Sequence, residues 1–260
     1  MKIYIMTDLE GISGVSSASY ISAARNRPDL IAEARKFMAG DINACVEGCV
    51  RGGATEIIVK DCHAGGFNVT REMIDPRADF IDGSTPGIRF ADIEGSDGLI
   101  LLGYHAKAGT PGAVCEHTMS SIGWQNAWVN GRSIGEIGID AYIAGEHNVP
   151  VIMVSGDDKT CAEGAEWLPW AVMCQVKKGF SCNGARMPSF EKTRALITEC
   201  AEKAVKKAKE CPVLKPEAPV TFKLEQVSRS GMPANPAYKH LDARTWELTV
   251  ESMERALFFN

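Results

Sequence analysis

Four short apolar runs between residues 2 and 155 each stop at a residue that can do chemistry. Lys2–Thr7 runs into Asp8 and Glu10, and Glu56–Lys60 into Asp61-Cys62-His63. Asp97–Gly103 runs into Tyr104-His105, and Pro150–Ser155 into Gly156-Asp157-Asp158. These runs are rich in Ile, Val and Leu and short enough to read as buried strands. Between the first two, Ile31, Ala34, Met38, Ile42, Cys45, Val46, Cys49 and Val50 recur at helical spacing. Pro28-Asp29 suits the start of that helix and Gly52-Gly53 its end. Residues 136–147 read as a second helix. Strands alternating with helices predict an α/β fold, a mostly parallel sheet with helices on both faces. In such a sheet ligands sit beyond the carboxyl ends of the strands. The polar residues that stop the runs gather at that edge.

The rest of the chain says less about function. Ala127–Val129 and Ser133-Ile134 flank Asn130-Gly131, a hairpin signal. Residues 190–210 form an amphipathic Lys/Glu-rich helix between Pro188 and Pro212. A Pro-rich connection, a strand at Val220–Glu225, a loop at 228–236 and a strand–helix over Thr245–Phe259 follow. The expected organisation is a catalytic, metal-binding α/β domain over 1–210 and a smaller α+β portion over 211–260, which can equally belong to the same domain.

The central constellation is Asp8, Glu10, His63, His105 and Glu136. Carboxylate oxygen with imidazole nitrogen suits zinc and related first-row ions. Residues two apart on an extended chain point the same way, so Asp8 and Glu10 can serve one centre. A carboxylate has two oxygens, so Asp8 can bridge two ions and leave room for a water that becomes acidic. Each residue also has a plainer reading. Asp8 can cap a turn, Glu10 can be a solvated loop carboxylate, and either histidine can be structural. Glu136 suits the first turn of a helix with or without metal. His117 can act as a general acid or base, or as a nucleophile, but it also reads as a surface histidine. Asp157-Asp158 reads as a helix cap.

Composition excludes several classes. A net charge of −5 and no basic patch with interleaved aromatics exclude a nucleic-acid binder. No run approaches a membrane span, and the N-terminal apolar run is too short for a secretory signal. No membrane partner and a cytoplasmic location are expected. Nine cysteines, an odd number without a Cys-x-x-Cys pair, argue against a disulfide framework. Cys62 and Cys115 stand out because each lies close to a histidine.

The motifs together resemble the zinc-dependent D-aminopeptidases found with bacterial dipeptide-permease operons, the DppA-like family. The resemblance covers most of the first two-thirds of the chain. It rests on Asp8-Leu-Glu-Gly-Ile-Ser-Gly14, Asp61-Cys-His63, Leu102-Gly-Tyr-His-Ala106, Thr110-Pro-Gly112, Glu116-His-Thr-Met119, Asn130-Gly-Arg132, Gly135-Glu-Ile-Gly138 and Val154-Ser-Gly-Asp-Asp158. It implies two zinc ions per subunit, other divalent first-row metals being conceivable, held by Asp8 as bridge with Glu10, His63, His105 and Glu136. It further implies His117 as the catalytic histidine, short peptides with N-terminal D-residues as substrates, and a ring-shaped homo-decamer. Lys60, Cys62 and Glu116 depart from the family pattern, and the last third resembles it weakly.

Two other classes compete. A metal-free cysteine amidohydrolase would use Asp8, Lys107 and Cys115, leaving four of the five candidate ligands without a role. A non-catalytic metal- or peptide-binding protein would use the same pocket without turnover. A phosphoester hydrolase lacks an Arg/Lys cluster near the ligands to clamp phosphate.

Overall fold

A computed structural model describes residues 1–22 and 26–259. In chain order its elements are β1 (Lys2–Thr7), α1 (Pro28–Gly52), β2 (Glu56–Asp61), β3 (Asp79–Ile81), β4 (Gly98–Leu102), β5 (Trp124–Val129), β6 (Arg132–Ile134), α2 (Glu136–Glu146), β7 (Val151–Gly156), α3 (Asp158–Trp167), β8 (Val172–Gln175), β9 (Lys178–Ser181), β10 (Gly184–Arg186), α4 (Phe190–Lys207), β11 (Val220–Gln226), β12 (Lys239–His240), β13 (Thr245–Val250) and α5 (Met253–Leu257). The main sheet runs β3-β2-β1-β4-β7-β8. All five of its strand pairs are parallel. The α/β expectation therefore holds.

Alternation along the strands sets the layers. In β1, Ile3 and Ile5 face one way and join a core with Ile57, Val59, Ile100 and Leu102, covered by α1 and α4. Tyr4 and Met6 face the other way and pack with Ile58, Leu99 and Leu101 against α2 and a second sheet. Both faces of the central strands are buried, hence the near-continuous apolar runs. Helix α1 starts at Pro28, whose missing N–H costs nothing in a first turn. It stops at Gly53, whose φ of 99° is the left-handed conformation a helix cap needs.

The second sheet is antiparallel, in the order β12-β13-β11-β5-β6. The Asn130-Gly131 hairpin forms as expected, joining β5 and β6. Strands β11 and β13 pair with each other, and β11 pairs with β5, Phe222 opposite Val129. Several short strands escaped the sequence reading: the edge strand β3, β8, the β9–β10 ribbon and the two-residue β12.

The strands that matter end level. Thr7 lies opposite both Asp61 and Leu102. The backbone then stays tied beyond the sheet: Asp8 N–H donates to Leu102 O at 2.9 Å, Cys62 N–H to Thr7 O at 3.0 Å, and Tyr104 N–H to Ser155 O at 2.9 Å. Residues 8, 62 and 104 are thus anchored in one row, which aims the side chains after them at one place. No helix among the described residues is long and apolar enough to cross a membrane.

Candidate metal centre

Six side chains from five segments meet above this edge. Asp8 and Glu10 leave the end of β1, His63 follows β2, and His105 follows β4. His117 sits in the loop before β5, and Glu136 is the first residue of α2. Asp8, Glu10, His105 and Glu136 are buried, while His63 and His117 are partly exposed along a cleft of about 390 Å³. They form two triads whose ligand atoms lie within 4.8 Å of one another: Asp8, Glu10 and His63 in one, His105, His117 and Glu136 in the other.

Asp8 joins the two. Its Oδ1 is 3.1 Å from His63 Nδ1, and its Oδ2 is 3.4 Å from His105 Nε2. Glu10 Oε2 lies 3.0 Å from His63 Nδ1, and Glu136 Oε1 lies 3.1 Å from His105 Nε2. Burial works against a charged Asp8, but the two imidazoles more than offset it and hold the carboxyl well below its usual range. Burial likewise works against charged His63 and His105, and the facing carboxylates raise both well above an ordinary histidine.

The donors fit a divalent first-row cation. His105 Nδ1–H donates to Ala106 O at 3.0 Å, so Nε2 is the nitrogen that faces Asp8 and Glu136, where a bound cation would take the place of its proton. That Nε2 is buried and makes no hydrogen bond among the described residues. A buried polar atom without a partner is costly and needs an explanation. A cation shared with Asp8 and Glu136 supplies one. Oxygen and nitrogen donors of this mix suit zinc.

His117 belongs to the second triad. Its ring stacks on His105 with centroids 3.9 Å apart and planes 12° from parallel. Its Nδ1–H donates to Cys115 O at 2.9 Å, and its Nε2 stands 3.6 Å from Glu136 Oε1. It is therefore no plain surface histidine, and its position suits either a ligand or a proton carrier.

The cysteine alternative does not assemble. Asp8 is taken up by the two histidines, and Lys107 Nζ donates to Ser133 Oγ at 3.1 Å. Burial pushes the Cys115 thiol up to about 12, far from a thiolate at neutral pH. Cys62 is likewise raised well above the usual thiol value by burial. Asp157 caps α3 by accepting from Lys159 N–H and Thr160 N–H, as its sequence position predicts. His147 closes α2 and faces Glu94 and Glu254, away from the centre.

Two supporting groups escaped the sequence reading. Lys177 is buried, and its Nζ donates to the carbonyls of Glu10, Ile12 and Val15 at 2.6, 3.0 and 2.6 Å. It pins the loop that carries Asp8 and Glu10. Its signal was the strand-end rule itself, since it lies two residues past β8, but β8 is short and half-buried and makes no clean apolar run. The second group is the Arg89–Asp140 pair. Arg89 Nε and Nη2 bind Asp140 at 2.7 and 2.8 Å, and Tyr104 Oη–H donates to the same carboxylate at 2.5 Å. This ties α2, and so Glu136, to the residue before His105.

Known proteins resemble the chain as a whole. The profile of peptidase family M55, described as D-aminopeptidase, matches residues 1–259. This chain belongs to the D-aminopeptidase family. A D-aminopeptidase from Bacillus subtilis (strain 168) is 35% identical over 225 residues, covering 85% of this chain and 80% of that protein. The solved structure of a Zn-dependent D-aminopeptidase, DppA from Bacillus subtilis, described as a self-compartmentalizing protease, superimposes with a TM-score of 0.90 at 30% identity, over 98% of this chain and 94% of that one.

Proposed function

We propose that this D-aminopeptidase family member is a zinc-dependent aminopeptidase that removes N-terminal D-residues from short peptides, using two ions held by Asp8, Glu10, His63, His105 and Glu136. The observation that carries the reading is Asp8, whose two oxygens face two different histidines and so join two sets of donors. Asp8, Glu10 and His63 would hold one ion. Asp8, His105 and Glu136 would hold the other.

Bound zinc supplies Lewis acidity to the scissile carbonyl and acidifies the attacking water. The protein supplies the rest. The free amine of a peptide's first residue would serve as a further donor to a bound ion, which accounts for cutting at the N-terminus. His117, with Nδ1–H held by Cys115 O, presents Nε2 to take the proton of the attacking water and return it to the leaving amine. Met119 N–H donates to Glu136 Oε1 at 2.7 Å and fixes that carboxylate for its role.

Assembly into a ring-shaped homo-decamer would restrict the cleft to small peptides, as the self-compartmentalizing relative suggests. Exposed Ile122, Phe67 and Phe180 are apolar surface available to such contacts. A cytoplasmic location agrees with nine cysteines that are all free. The test is turnover by zinc-loaded protein of matched dipeptides beginning with D- or L-alanine. Hydrolysis favouring the D-peptide and abolished by chelation is expected. No turnover of either peptide, or turnover that survives chelation and dies on thiol alkylation, overturns the reading.

A further inference from the structure

Beside the metal cleft lies a second pocket of about 290 Å³, whose wall includes Lys60, Ser84, Thr85 and Arg89. The two cavities share Cys62, Ala64, Arg89 and Met119 as lining, so they adjoin. We propose that this pocket is the subsite for the C-terminal carboxylate of a short peptide substrate, with Lys60 as the cation that recognises it. The proposal rests on the aminopeptidase reading of the adjoining centre and names the substrate feature that reading leaves open.

Lys60 carries the argument. It is the fifth residue of β2 and is only 5% exposed. Its Nζ donates to Thr85 Oγ1 at 3.1 Å and has no carboxylate partner among the described residues. An ammonium has three donors, so this one is under-used. Buried charges are normally paired, because taking them out of water is expensive. The acids nearest along the chain are committed elsewhere. Asp61 accepts from Asn68 N–H and Nδ2–H, and Asp82 accepts from Phe67 N–H and Gly83 N–H. Burial accordingly pulls the Lys60 ammonium below its ordinary value. A carboxylate arriving from solution would complete the site.

Arg89 adds a second donor. Asp140 takes its Nε and Nη2, which leaves Nη1 on a rigidly held guanidinium in the shared wall. The reach is right. An extended dipeptide or tripeptide spans ~7–11 Å, and the two cavities open into one another along Cys62, Ala64, Arg89 and Met119. A peptide whose free amine meets the metal centre can therefore extend its other terminus toward Lys60. Longer chains would have to leave the pocket, which selects short substrates by charge.

The experiment uses the full-length, zinc-loaded protein and a dipeptide whose scissile amide is replaced by methylene–amine. Binding of its free acid is compared with that of its C-terminal amide, and with an amide that carries a carboxylate on the second side chain instead. The free acid is expected to bind at least ~10-fold more tightly than either amide. Lys60→Gln should erase the difference by weakening the acid alone, and Lys60→Arg should restore much of it. Equal binding of acid and plain amide to the unaltered protein overturns the proposal. So does a tight side-chain carboxylate, or a Lys60→Gln protein that still prefers the acid. Turnover of the normal dipeptide is read separately. Loss of turnover with the acid preference intact would sink the peptidase reading, whereas turnover without acid preference would sink only the subsite.

Discussion

Replacing Lys177 with methionine tests how the loop that carries Asp8 and Glu10 is held. Lys177 is 1% exposed, and its three donors end on the carbonyls of Glu10, Ile12 and Val15. Burial pulls its ammonium down to about 8, so it is still charged at neutral pH. A hydrogen bond to a charged group nets ~1.5–3 kcal/mol, so three are worth roughly 4.5–9 kcal/mol. Methionine keeps much of the stem volume but leaves three carbonyls without a donor. Those net values already include the ammonium's desolvation, and water reaching the three freed carbonyls recovers part of the loss. The balance is a loss of about 3 kcal/mol. Urea unfolding at pH 7 in the presence of chelator reads it directly, because bound metal would mask it by mass action. Zinc affinity should fall as well, since the freed loop must be ordered on binding. A Lys177→Met protein within ~1 kcal/mol of the parent, with the same zinc affinity, would refute the reasoning, since the loop would then hold itself.

Three further outcomes are expected. A Cβ on Gly11 would stand 1.8 Å from Tyr104 O and 2.5 Å from the Gly103 carbonyl carbon. Gly11→Ala should therefore part the Asp8 loop from the His105 loop and abolish high-affinity zinc binding, which calorimetry would report; unaltered affinity would show that the loops have slack. Burial raises Asp41 to about 6 despite its bonds from Ser13 N–H and Oγ–H. The folded state then keeps a proton that the unfolded chain, with an ordinary Asp near 3.9, has released, so this stability is full below about 4 and fades as pH rises through 6. From pH 5 to pH 7 the parent should lose roughly 1 kcal/mol relative to Asp41→Asn in urea titrations, and parallel pH profiles would contradict this. His117→Ala should lower turnover at least ~10²-fold with zinc content unchanged if the histidine carries protons. Loss of zinc on that substitution would make it a ligand instead, and full turnover would remove it from the mechanism.

Much of the frame was legible in the sequence because the central strands are buried on both faces. Their apolar runs are unbroken, and the residues that stop them mark the sheet's edge, so Asp8, His63 and His105 could be placed together before any coordinates. Glu136 was legible only as a carboxylate in a first helical turn. Its nearness to His105 depends on the β5–β6 hairpin delivering α2 to the same edge. Pairing of β5 with β11 was invisible, since Asn126 meets Glu225 across a long stretch of chain and no local pattern encodes a partner. Lys177 and the Arg89–Asp140 pair were missed for a related reason. They act by satisfying backbone carbonyls and a buried carboxylate, and residue type alone does not reveal such partners. Cys115 could not be set aside from sequence, because its closeness to His117 looks catalytic until burial of the thiol is seen.

The central claim is that Asp8 joins two cation sites, and zinc content per chain in the parent and in Asp8→Asn measures it most directly. The account predicts two zinc ions per chain in the parent, with both weakened or lost in the variant because the shared carboxylate serves each. A parent that retains one ion at most, or a variant that still retains two, would contradict it.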